Sequence, residues 1–132
     1  MGFEEISHTA DWSVLVWAQD LPSLFIESAR AMNALAGTRL NNGPRLRRSF
    51  ETEDPDAESL LVAFLSELVY YQEQENLAFD AFDLTISDQA LKVEMEGARI
   101  EWVDKAIKAV TYHNLKIEKT DRGLETRIVF DV

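Results

Sequence analysis

The residue types with the most chemical content stand at the two ends of the chain, His8-Thr9-Ala10-Asp11 near the start and Phe130-Asp131-Val132 at the finish. Each places a carboxylate beside an apolar run with strand-like alternation, and domain termini commonly lie near one another. If the last strand pairs near the first, Asp11, Asp131 and the terminal carboxylate of Val132 converge. Like charges that close stay ionised together only with a cation between them. Hard oxygen donors and the absence of cysteine point to Ca²⁺ or Mg²⁺ in that place. A plainer reading stays open: Asp11 turns or caps the chain and Asp131 is a solvated end. His8 and His113 are the only histidines, and each is either a hydrogen-bonded structural side chain or a group that orients the carboxylates. His113 closes Lys108-Ala109-Val110-Thr111-Tyr112-His113, which reads as a strand carrying a cation, a hydroxyl and an imidazole.

Composition bounds what could position these groups. A chain of 132 residues with 46% hydrophobic content buries about two-thirds of its unfolded surface as one domain, residues 1–132, without a disulfide or metal staple. Zero cysteines exclude thiolate zinc sites and thiol catalysis and fit a reducing compartment. Met1 to Ser7 lack the basic flank and apolar stretch of a signal peptide. No run approaches the roughly 18 apolar residues of a membrane span, so a cytoplasmic protein without membrane contact is expected. With 13 Lys and Arg against 24 Asp and Glu, the net charge of −11 repels phosphate backbones and attracts metal ions or basic protein surfaces. Direct nucleic-acid binding is not expected. The one basic stretch, Arg45-Leu46-Arg47-Arg48, reads as a solvated strand edge beside the Gly43-Pro44 turn.

The elements follow from periodicity. Val14, Val16 and Ala18 alternate with Leu15, Trp17 and Gln19 as a strand, after which Asp20 offers a cap and Pro22 a first-turn residue. Leu24, Phe25, Ala29, Met32 and Leu35 share a helix face that Gly37 can terminate. Leu46 to Thr52 forms a second strand, and Asp54-Pro55 reads as the start of the principal helix, whose broad apolar face from Leu60 to Tyr71 runs to about Glu75. Phe82, Leu84 and Ile86 turn at Asp88-Gln89 into Leu91, Val93 and Met95 as a hairpin with one wet face. A second hairpin turns at Asp121-Arg122-Gly123, with Leu124, Thr126, Ile128 and Phe130 on one face of its return strand. The order implies an α+β sandwich of two helices packed on a mostly antiparallel β-sheet.

Taken in order, His8-Thr9-Ala10-Asp11, the Leu60-to-Tyr71 helix, Lys108-Ala109-Val110-Thr111-Tyr112-His113 and Val129-Phe130-Asp131-Val132 resemble the archease family over almost the whole chain. The resemblance implies a protein that is not itself an enzyme. Such a protein assists the GTP-dependent RNA-splicing ligase that joins a 3′-phosphate to a 5′-hydroxyl end in tRNA splicing, promoting its guanylylation and multiple turnover. It also implies a divalent metal ion, calcium ahead of magnesium, held by Asp11, Asp131 and the main-chain oxygen of Val132. His8, Lys108 and His113 would support those ligands. Oligomeric state is left undetermined. The rival functions are a free-standing metal-dependent phosphoesterase, although no Gly-rich loop precedes a helix to cradle phosphate, and a non-catalytic protein-binding module. The chain departs from the family between Gly97 and Lys105, which reads as a short loop without histidine where relatives carry a longer Pro/Asp/His-rich one. Trp102 in that loop is read as a core anchor in preference to an exposed partner contact.

Overall fold

The computed structural model describes residues 1–6 and 12–132. Its strands are β1 (Gly2–Ile6), β2 (Trp12–Ala18), β3 (Arg39–Leu40), β4 (Leu46–Glu53), β5 (Leu77–Ser87), β6 (Ala90–Trp102), β7 (Ala109–Val110), β8 (Glu118–Thr120) and β9 (Gly123–Asp131). The helices among the described residues are α1 (Leu21–Ala36) and α2 (Ala57–Glu75). This is the expected α+β architecture, with every strand pair antiparallel. The strands divide between two hydrogen-bonded sheets. One has the order β1-β2-β9-β7 with β8 also on β9, and the other centres on β6, flanked by β3 and β4 on one path and by β5.

Helix α1 starts where the local chemistry places it. Asp20 is extended and its carboxylate accepts from the Ser23 N–H at 2.8 Å, Pro22 lies in the first turn, and Gly37 ends the helix at φ 66°. Ser23, through its backbone N–H and then its hydroxyl, holds Asp20 below the ordinary carboxylate range. Asp20 therefore contributes stability that is present above the unfolded carboxylate pKa and is lost as pH falls through the lower folded value. Asp20→Ala is expected to lower the unfolding free energy by about 1 kcal/mol at neutral pH. Denaturant titrations of both proteins should converge in strong acid; a pH-independent difference would contradict the cap.

Helix α2 begins two residues later than Asp54-Pro55 suggests. Asp56 is the cap, accepting from the Glu58 N–H at 3.1 Å, while Asp54 instead accepts from the Asp56 N–H at 2.9 Å and forms the preceding turn. The helix is buried on a wide face because it meets both sheets, packing on β4, β5 and β6 of one and on β7 of the other. Phe64 lies fully buried at the centre of that face, with ring centroids 5.8 Å from Phe25 of α1, 6.3 Å from Phe50 of β4 and 5.8 Å from Phe82 of β5.

The β5–β6 hairpin turns at Asp88 and Gln89, both with positive φ, as a tight two-residue turn requires. Its strands run further than the alternation of Phe82 to Met95 suggests. β6 continues through Gly97 to Trp102, so the first part of the segment read as a loop is strand. Gly97 is obligatory there, because a Cβ would run into the Ala78 carbonyl oxygen where a bulge at Phe79/Ala81 brings β5 close. Trp102 is 58% exposed rather than a core anchor, and its indole N–H donates to the Asp104 carboxylate at 2.7 Å. The residues beyond it are pinned instead by the α1 terminus, where Asp104 and Lys105 donate backbone N–H groups to the Ala36 carbonyl at 2.8 and 3.1 Å.

Candidate functional site

The last strand is amphipathic. Ile128 and Phe130 are fully buried, so the alternation of β9 turns Asp131 outward, where it is exposed. Val132 is half-buried against the core. β9 lies between β2 and β7, with Trp12 opposite Phe130 on one side and Ala109 opposite Asp131 on the other. The sequence neighbours of both ends of the proposed oxygen set are therefore paired residues of adjacent strands. Asp11 and His8 themselves lie outside the described residues.

On the β7 side the Lys108 N–H donates to the Asp131 main-chain oxygen at 2.8 Å, and the Thr111 N–H donates to the Val129 oxygen at 3.0 Å. The Thr111 hydroxyl donates to the same Val129 oxygen at 3.1 Å and accepts from the His113 N–H at 3.2 Å. The strand expected over Lys108–His113 is thus reduced to Ala109–Val110, and the chain leaves it in a turn where Asn114 adopts φ 52°. Because the pairing is antiparallel, Lys108 comes beside Asp131 while the chain toward His113 runs away from it. His113 is exposed, with Asn114 Nδ2 3.3 Å from its Nε2. A further cation meets this end of the sheet, Lys105 Nζ 5.5 Å from the Trp12 ring centroid. Nothing in sequence spacing signals that contact, which depends on how the segment after β6 folds back.

The donors fit a hard divalent cation in kind. Asp131 presents an exposed carboxylate, its main-chain oxygen is already engaged by Lys108, and a Val132 oxygen follows directly in the chain. Among the described residues no group of three His, Cys, Asp or Glu side chains is arranged to hold a metal. No helix among the described residues is long and apolar enough to cross a membrane.

Two helices packed against two antiparallel sheets, with the start of β2 paired to the end of β9, define a small α+β protein. The sequence model of the Archease protein family (MTH1598/TM1083) matches residues 3–132, and the chain belongs to that family. It is 34% identical to protein archease of Methanosarcina barkeri, covering 98% of this chain and 95% of that protein. Protein archease of Methanopyrus kandleri is 31% identical over the full length of both. The solution structure of protein 1598 of Methanobacterium thermoautotrophicum superposes with a TM-score of 0.74 at 27% identity, covering 99% of each chain. The crystal structure of a Thermotoga maritima archease, described as a possible chaperone, superposes with a TM-score of 0.70 at 22% identity over 98% of this chain and 96% of that one, a likeness of fold.

Proposed function

We propose that this protein is a single-domain, cytoplasmic accessory factor of the GTP-dependent RNA-splicing ligase, promoting ligase guanylylation and multiple turnover in the joining of 3′-phosphate and 5′-hydroxyl RNA ends. The reading starts from membership of the Archease family over residues 3–132. The observation that carries its site is the register that sets Trp12 opposite Phe130 and Ala109 opposite Asp131, since it supports a shared site for Asp11, Asp131 and the Val132 main-chain oxygen. These oxygens hold a divalent cation, Ca²⁺ ahead of Mg²⁺. Bound there, the cation supplies positive charge that lets neighbouring carboxylates stay ionised together and face a partner. Asp131 contributes its side chain, and Lys108 fixes its backbone through the 2.8 Å bond. The net charge of −11 favours docking on a basic or metal-loaded protein surface and disfavours gripping RNA.

The test is a reconstituted ligation with ligase, GTP, divalent metal and a 3′-phosphate/5′-hydroxyl RNA pair, run with and without this protein. Product exceeding one equivalent of ligase only in its presence is expected. Ester hydrolysis by the protein alone would replace this reading with a phosphoesterase, and ligase binding without a change in turnover would replace it with a passive binding module.

A further inference from the structure

Strand β4 forms one edge of the β6-centred sheet, and among the described residues no strand pairs its outer side. It runs eight residues, Leu46–Glu53, without proline or bulge, so it lacks two common devices that blunt an edge. Which backbone groups face outward follows from the register. The Asp54 N–H donates to the Gln89 oxygen at 2.9 Å, continuing the β4–β6 ladder by one residue. Hydrogen-bonding direction alternates along a strand, so positions 46, 48, 50 and 52 face β6 while 47, 49, 51 and 53 face outward. Arg48 Nη1 donating to the Arg47 carbonyl at 2.7 Å agrees, and that carbonyl retains a second lone pair.

The side chains along this edge are antisymmetric in charge about Ser49: Arg45 and Arg47 precede it and Glu51 and Glu53 follow. We infer that β4 pairs antiparallel with β4 of a second copy of this chain, the two-fold axis passing through Ser49. In that register outward-facing residues meet outward-facing residues, as the ladder demands. Arg47 lies opposite Glu51 of the second copy and Arg45 opposite Glu53, each pair occurring twice. Sliding the strands by two residues in either direction also satisfies the backbone, but it halves the opposite-charge pairs. The neighbouring strand extends the match. Arg47 already lies opposite Glu96 and Glu51 opposite Lys92 across β4–β6. The dimer therefore carries rows running Glu96, Arg47, Glu51 and Lys92 across four strands, alternating in sign at every step. Arg45, just before β4, and Arg47, Glu51 and Glu53 within it are all exposed. Arg45 also bonds Asp80 at 2.5 Å within its own chain, so the Arg47–Glu51 pairs are the discriminating ones.

Sedimentation equilibrium of the purified full chain tests this. A weak monomer–dimer equilibrium is expected. Each reversal replaces two opposite-charge cross-strand pairs by two like-charge ones, so Arg47→Glu and Glu51→Arg should each weaken it about tenfold. Mixing the two reversed chains in equal amounts re-creates both pairings between unlike copies and should restore association as a heterodimer. Ser49→Pro removes an outward N–H that β6 does not use and should abolish pairing, with circular dichroism confirming the fold. A monomer at every concentration up to about 1 mM, association indifferent to these changes, or a mixture that stays dissociated would overturn the proposal.

Discussion

Phe64→Ala is expected to lower the unfolding free energy by about 3–5 kcal/mol, a large part of what holds a domain of this size together. The side chain is fully buried and touches aromatic rings from α1, β4 and β5. Three elements lose a shared partner at once, and none can close the void without moving α2 off the sheet. The loss should appear in urea titrations as a lower midpoint with an unchanged slope. A Phe64→Leu protein, which keeps most of the volume, should lie between the two. A difference below about 1 kcal/mol for the alanine variant would mean that the ring cluster is not the junction of these elements.

Asp131→Ala is expected to abolish divalent-ion uptake while leaving the fold intact. Its carboxylate is exposed, and its backbone pairing to β7 through Lys108 does not use the side chain. Titration calorimetry with Ca²⁺ should show one site per chain in the unaltered protein. It should show no resolvable heat in the Asp131→Ala and Asp11→Ala proteins, with unchanged thermal melts in the absence of metal. Added Ca²⁺ should raise the melting temperature of the unaltered protein alone, because a ligand that binds only the folded state stabilises it by mass action. Unaltered uptake after both substitutions would place the ion elsewhere.

What could be read from the sequence divides by the range of the interactions involved. Helix α1 was legible at both ends because Asp20, Pro22 and Gly37 act through bonds to residues within four positions. α2 was legible in type but displaced at its start, since Asp54 and Asp56 are both competent caps and only the turn between them decides which one serves. The alternation of β9 correctly separated a buried Phe130 from an outward Asp131. The pairing of β2 with β9 was available only as a condition, because strand order is a property of the whole sheet. The truncation of β7 was hidden for a related reason: Thr111 looks like an ordinary strand residue, yet its hydroxyl takes the Val129 oxygen and holds the His113 N–H, starting the turn that removes His113 from Asp131. Trp102 misled through its size. At the end of β6, paired with Arg39 of β3, its indole stays exposed and donates to Asp104. The division into two sheets left no mark in any local pattern.

The claim on which this account rests is that the carboxylate end of the protein acts on the ligase. The rate of ligase guanylylation by GTP, measured at fixed Ca²⁺ with the unaltered protein and with the folded Asp131→Ala protein, tests it most directly. Stimulation by the first and a rate equal to ligase alone with the second is the predicted result; equal stimulation by both would contradict it.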